Sequence, residues 1–149
     1  MQAKIKLLRK SGKIPTRAHA GDAGLDFYFC PEDGNPLDIR PMSNGVLATG
    51  VSCEVPEGFM LEIKNKSSIA VKKQLIVGAC VIDTGYTGEI FVNLNNVGTA
   101  IQTIVPGQKI AQGVFVKIEK PELILIPEDE PLYTHSDRKD GSLGSTGEF

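Results

Sequence analysis

Asp83 closes the apolar run 75–82 and is followed by Thr84-Gly85-Tyr86-Thr87-Gly88. A glycine-bearing turn after a strand predicts a β-hairpin whose tip carries a carboxylate and an aromatic ring. Such a carboxylate can accept local N–H bonds while the tyrosine packs against the scaffold. The small residues Gly78 and Ala79, ahead of Cys80, Val81 and Ile82, would let a flat ligand lie against strand backbone.

Four other segments carry chemistry that a strand scaffold does not demand. Asn65-Lys66-Ser67-Ser68-Ile69-Ala70 places two hydroxyls where a short helix can begin. Serine is a good N-cap. The same hydroxyls, with free backbone N–H groups and the Lys66 ammonium, also form an anion cradle suited to phosphate. Gln112 falls on the otherwise apolar face of Ile110, Val114, Val116 and Ile118. A buried glutamine without partners costs about 1–3 kcal/mol, so it must satisfy neighbouring backbone or face a ligand or another subunit. The stretch 20–26, rich in glycine and aspartate, leads through Asp26 into an apolar strand. The segment 138–147 reads as a flexible tail, yet it combines Arg138 and Lys139 with three glycines, Ser145 and Thr146. Arginine, hydroxyls and bare N–H groups together can wrap a triphosphate. No GxxxxGK[ST] is present, so the segment is not a P-loop.

The elements that must position these groups are strands. Period-2 alternation runs through 3–8, 59–64, 90–95 and 110–118, and 25–30, 46–55, 75–82 and 122–126 also read as strands. Turn chemistry punctuates them at 31–36, 56–58, 84–88 and 106–107. The single helix expected is a short turn at 67–72. Many short strands so punctuated predict an all-β sandwich, jelly roll or barrel. The whole of 1–149 reads as a single domain, with a Pro- and acid-rich linker at 121–136 and a C-terminal arm at 137–149.

Charge and cysteine content remove several classes of function. Lys and Arg number 16 against 18 Asp and Glu, a net charge of -2, which disfavours a nucleic-acid-binding surface. The basic stretch 1–17 reads as solvated strand and loop faces. Three cysteines, Cys30, Cys53 and Cys80, without a CxxC pair argue against a disulfide framework or a zinc site. With His19 and His135 alone, a histidine-rich metal site is excluded. The longest apolar run, 75–82, is far short of the ~20 residues of a membrane span, and no signal-peptide core follows Met1. The expectation is a cytoplasmic protein that contacts neither membrane nor nucleic acid.

Taken in order, the five segments resemble the five motifs of the homotrimeric dUTP pyrophosphatases (dUTPases), across residues 20–147. The most specific parts are 81–88 with Gly107-Gln108-Lys109-Ile110-Ala111-Gln112, reinforced by Gly144-Ser145-Thr146-Gly147. The resemblance implies a jelly-roll-like β-barrel or sandwich with a short helical turn and an extended C-terminal arm. It also implies a homotrimer with shared active sites. Its reaction would be Mg²⁺-dependent hydrolysis of dUTP to dUMP and pyrophosphate, which limits uracil in DNA and supplies dUMP. Asp83 would be the base for water attack on the α-phosphorus. Tyr86 would pack on the deoxyribose, and backbone around Cys80, Val81 and Ile82 would pair with uracil. Lys66, Ser67, Ser68 and Gln112 would hold phosphates. Arg138, Leu143, Gly144, Ser145 and Thr146 would close over the nucleotide from a neighbouring subunit. Mg²⁺ would sit mainly on the triphosphate and water, with Asp26 in its outer shell.

The chain departs from the family at several points. Asn65-Lys66 stands where Pro-Arg is usual, which keeps the charge but loses the bidentate fork. Leu143 replaces the arm's usual aromatic, and Lys139 and Ser142 replace its usual glycines. The related dCTP deaminases need a glutamate where this chain has Asn93, and a second arginine where it has Val71, which disfavours deamination. A further alternative is a dUTP-binding regulatory protein that acts through partner contacts.

Overall fold

Among the described residues the chain forms eleven short strands, the longer of them where apolar and polar residues alternate. The computed structural model describes residues 2–133 and 135. The strands are β1 (Ile5–Leu7), β2 (Leu25–Tyr28), β3 (Leu37–Ile39), β4 (Asn44–Ala48), β5 (Val51–Cys53) and β6 (Phe59–Asn65). The helix α1 (Ser67–Lys73) follows, then β7 (Leu75–Val77), β8 (Val81–Ile82), β9 (Phe91–Asn96), β10 (Gln102–Ile104) and β11 (Lys109–Lys117). All the pairings are antiparallel. A four-stranded sheet has the order β2-β11-β6-β8, and a three-stranded sheet has the order β4-β9-β7. Two further pairs, β1-β5 and β10-β3, complete the all-β, jelly-roll-like architecture.

One apolar cluster joins the sheets. Phe27, Leu61, Ile63, Ile110 and Ala111 enter it from the four-stranded sheet, and Leu47, Leu75, Val92 and Leu94 from the three-stranded one. Each fully buried aliphatic side chain contributes about 1.5–3 kcal/mol relative to exposure. Asn96 is a buried polar side chain, at 2% exposure. Its amide donates to the carbonyls of Ile39 and Ala100, both at 2.8 Å, and its Oδ1 accepts the Gly98 N–H at 2.9 Å. Its buried polar atoms are therefore satisfied.

Several sequence expectations are corrected. The run 75–82 is two strands, not one. β7 pairs with β9, and β8 pairs with β6 in the other sheet. Gly78 and Ala79 between them are exposed, because the chain leaves one sheet for the other there. The segment 83–90 is accordingly a crossover loop and not a two-stranded hairpin, since β8 and β9 do not pair. The run 46–55 is likewise broken, at Thr49 and Gly50, into parts of β4 and β5. A bulge between Lys109 and Ala111 shifts the phase of β11 and puts both Ile110 and Ala111 in the core. Gln112 therefore lies half-buried on the outer face rather than on a buried apolar one. β3 and β10, three residues each, carry too little alternation to be read from sequence.

α1 is too short to persist alone and is anchored by the buried Ile69. It ends at Gln74, whose φ of 53° is left-handed, with Lys72 and Lys73 in the last turn, where cations suit the helix dipole. The chain divides after Glu119 into two compact units. In the second, no strand forms at 122–126, and Leu123, Ile124 and Leu125 are exposed.

Candidate active site

Two clusters of polar side chains are built on the four-stranded sheet. The first lies where β11 is flanked by β2 and β6. Register places Gln112 opposite Asp26 on one side and Lys64 on the other. Asp26 is 7% exposed, and its backbone N–H and carbonyl both pair with Thr16. Lys66 Nζ donates to Asp26 Oδ1 at 2.9 Å, and Lys109 Nζ lies 2.8 Å from Asp26 Oδ2. Burial pushes the Asp26 carboxyl up, but the hydrogen bonds from Lys109 and Lys66 outweigh it and hold the group below the usual carboxylate range. Lys109 and Lys13 also approach the ring of Tyr28, at 5.9 and 5.3 Å from its centroid.

Ser67 and Ser68 follow Lys66 and are exposed. Lys66 itself is the N-cap, in extended conformation, and no side chain caps the turn. The serine hydroxyls are therefore not spent as caps. Gln112 Nε2 donates to the Asn65 carbonyl at 2.9 Å, and Asn65 Oδ1 accepts the Val77 N–H at 2.7 Å. Cations, hydroxyls and an amide thus share one edge, which suits an anion of several charges. The sequence missed Lys109, whose role depends on the bulge that carries it to Asp26.

The second cluster is the crossover loop. β8 is an edge strand, held by β6 through Leu61 opposite Ile82 and Glu62 opposite Val81. The Ile63 N–H donates to the Cys80 carbonyl at 2.7 Å, and the Thr84 hydroxyl donates to the Phe59 carbonyl at 2.9 Å. The Tyr86 N–H closes a turn on the Asp83 backbone carbonyl at 3.2 Å, with Gly85 at φ 89°. Asp83 is exposed, and Tyr86 is 44% exposed. A groove of about 180 Å³ between Cys80, Val77 and β6 is smaller than the ~300 Å³ at which whole small-molecule sites begin. It suits a single ring. A larger cavity of about 510 Å³ opens on the same loop, walled by Gly85, Tyr86 and Thr87 and by Lys4, Lys6 and Glu54.

The tip of the loop and the cradle stand apart within one chain, although Cys80 lines the same groove as Lys64 and Asn65. Thr84 touches Phe59 at the start of β6, whereas Lys66 lies just past its end at Asn65. Seven residues of strand separate those points by roughly 20 Å. The chain therefore unites Asp83 with Cys80, Val81, Ile82 and Tyr86, and unites Asp26 with Lys66, Ser67, Ser68 and Gln112. Arg138, Leu143, Gly144, Ser145 and Thr146 lie outside the described residues.

The described residues do not fit a resident metal. Both oxygens of Asp26 are engaged by ammonium groups. Among the described residues no group of three His, Cys, Asp or Glu side chains could hold an ion. A hard cation such as Mg²⁺ needs about six oxygens, most of which would have to come from ligand and water. The sequence also missed Arg9 and Glu89, which pair across 80 positions behind the loop. No local pattern announces such a contact.

The chain resembles known proteins over nearly its whole length. The family model for dUTPase matches residues 10–147. A deoxyuridine 5'-triphosphate nucleotidohydrolase of Hydrogenobaculum sp. is 36% identical over 149 residues, covering 99% of each chain. The enzyme of the same name from Clostridium tetani is 38% identical over 146 residues, covering 97% of this chain and 95% of its own. The dUTPase of Staphylococcus bacteriophage 80alpha, solved with dUpNHpp, superposes with a TM-score of 0.83 at 26% identity, covering 98% of both chains. A dUTPase of phage phi11 of S. aureus, described with a structural Mg(II) ion, gives 0.76 at 26% identity over 88% of this chain and all of its own.

Proposed function

Because the chain belongs to the dUTPase family, it hydrolyses dUTP to dUMP and pyrophosphate, and we propose that Asp83 is the general base. The observation that carries this role is the turn of the crossover loop. It uses the backbone carbonyl of Asp83, not its carboxylate, and presents Tyr86 on the same exposed tip. The carboxylate takes a proton from a water whose oxygen bonds to the α-phosphorus. The bond from that phosphorus to the α,β-bridging oxygen breaks, and pyrophosphate leaves with the electron pair. The proton on Asp83 then returns to solvent. Such chemistry asks of the protein mainly positioning and charge compensation.

The base is read by backbone. Uracil presents acceptor, donor and acceptor along one edge, and an edge strand presents unpaired N–H and C=O groups in alternation. β8 is such an edge, which supports uracil pairing with Cys80, Val81 and Ile82. Tyr86 packs on the deoxyribose and leaves no room for a 2′-hydroxyl. Lys66, Ser67, Ser68 and Gln112 receive the phosphates. Resemblance alone assigns Arg138, Leu143, Gly144, Ser145 and Thr146 to the closing arm. Mg²⁺ enters as part of the substrate, on the triphosphate, where it neutralises charge.

The working unit in this reading is a trimer with sites shared between subunits. The roughly 20 Å between the loop tip at Thr84 and Lys66 supports it, since the base and the phosphate cradle must both reach one nucleotide. A cytoplasmic setting is supported by three free cysteines. Among the described residues no helix is long and apolar enough to cross a membrane.

The test is incubation with Mg²⁺ and each of dUTP, dCTP, dTTP and UTP, following pyrophosphate and nucleotide products. The expected result is dUMP and pyrophosphate from dUTP, with the other three turned over far more slowly. Uridine products from dCTP, or no turnover of dUTP, would overturn it.

A further inference from the structure

Tyr86 is nearly half exposed, so packing alone does not fix its ring. Its hydroxyl donates to the Glu89 carbonyl at 2.8 Å, and this bond sets the ring's direction. The seat is tight. A Cβ at Gly88 would lie 2.5 Å from the Tyr86 hydroxyl oxygen, so only glycine leaves the phenol where it is. The position of the ring thus depends on the position of the Glu89 peptide.

That peptide is held from behind. Arg9 Nη1 and Nη2 donate to Glu89 Oε1 and Oε2 at 2.7 and 2.6 Å. Arg9 Nη1 also donates to the Cys30 carbonyl at 2.8 Å, and Glu89 Oε1 accepts the Gly50 N–H at 2.8 Å. The pair therefore ties the loop to the exit of β1, the end of β2 and the turn between β4 and β5. Both side chains are largely covered, at 19% and 13% exposure. A two-point fork between partly desolvated groups fixes direction as well as distance.

We propose that the Arg9–Glu89 ion pair is a positioning device for Tyr86 and sets how strictly the enzyme rejects a ribose 2′-hydroxyl. The inference rests on the reading that Tyr86 packs on the deoxyribose. Neither residue touches substrate; both act through the Glu89 carbonyl. Loss of the fork lets the 86–89 segment relax, and the gap that excludes the extra hydroxyl widens. Misplacement of this kind is felt strongly, since errors near 1 Å can change rates by ~10²-fold.

The experiment compares kcat and KM for dUTP and UTP in the wild type, Arg9→Lys, Glu89→Gln, Tyr86→Phe and Tyr86→Phe/Glu89→Gln, with Tm measured on each. Arg9→Lys keeps the charge and loses the fork. The expected result is a fall of about tenfold in the dUTP-over-UTP ratio of kcat/KM in both ion-pair variants, carried by KM rather than kcat. Tyr86→Phe falls by a similar factor, and adding Glu89→Gln to it changes the ratio no further. A lowered Tm with an unchanged ratio would reduce the pair to a structural brace and overturn the proposal. Should Glu89→Gln not fold, Arg9→Lys decides by the same ratio. A wild type that hydrolyses UTP as well as dUTP would instead remove the reading of Tyr86, and the inference with it.

Discussion

Lys66 Nζ sits 2.9 Å from Asp26 Oδ1, so the lysine of the phosphate cradle is held by a carboxylate that is itself 7% exposed. Lys109 holds the second oxygen. Two cations on one anion leave the edge with net positive charge, and Asp26 fixes where that charge stands. In the proposed reading Asp26 meets the triphosphate only through the two lysines.

This arrangement has a pH signature. The folded carboxyl lies below its unfolded value of about 3.9, so its stabilisation is present above that value and is lost as pH falls through the folded one. Asp26→Asn removes the stabilisation at every pH. The Tm gap between wild type and Asp26→Asn should be about 3–8 °C near pH 7 and close towards pH 2. Thermal unfolding followed from pH 2 to 7 checks it.

Asp83→Asn should fold as the wild type does, since the turn uses only the backbone of Asp83. Its kcat for dUTP should fall by about 10²–10⁴, the usual contribution of a general base, with KM little changed. Steady-state pyrophosphate release measures both.

Gly24→Ala should weaken substrate binding without touching the base. A Cβ there would run into the Gln112 side-chain amide and push it from the Asn65 carbonyl. Loss of one aligned hydrogen bond corresponds to about 0.5–1.5 kcal/mol, a KM raised roughly two- to tenfold. An unchanged KM for dUTP would show that Gln112 does not meet the nucleotide.

Asn96→Leu tests the core. It strands the carbonyls of Ile39 and Ala100 and the N–H of Gly98, of which the Ile39 and Gly98 groups are buried. A loss of about 1–3 kcal/mol for each poorly solvated group left unpaired predicts a strongly lowered Tm. Retained stability would mean that water reaches the three groups.

The sequence named the side chains that the proposed chemistry would use, but not where they stand. Asp83, Tyr86, Lys66, the serine pair and Gln112 stood out because a strand scaffold has no use for such groups at such turns. The period-2 pattern disclosed the β architecture, and the short helix was legible to within one residue of its end. Long-range events were not legible. The bulge at Lys109 changed which face Gln112 occupies. The break at Gly78 sent β8 into a different sheet from β7, and turned an expected hairpin into a crossover. Arg9 looked like one more solvated cation, because its partner lies 80 positions away. Leu123, Ile124 and Leu125 read as a strand from their composition, but no strand forms there.

The account stands on a site completed by more than one copy of the chain, and subunit mixing tests this most directly. Asp83→Asn lacks the base and Lys66→Met lacks the cradle cation; each alone should be nearly silent. The two are unfolded together in equal amounts, refolded, and assayed for dUTP hydrolysis. In a cyclic trimer whose sites take the loop from one subunit and the cradle from the next, about a quarter of the sites regain both groups. The account predicts that about a quarter of wild-type activity returns on mixing. Activity no higher than that of the separate variants would place base and cradle on the same chain and contradict it.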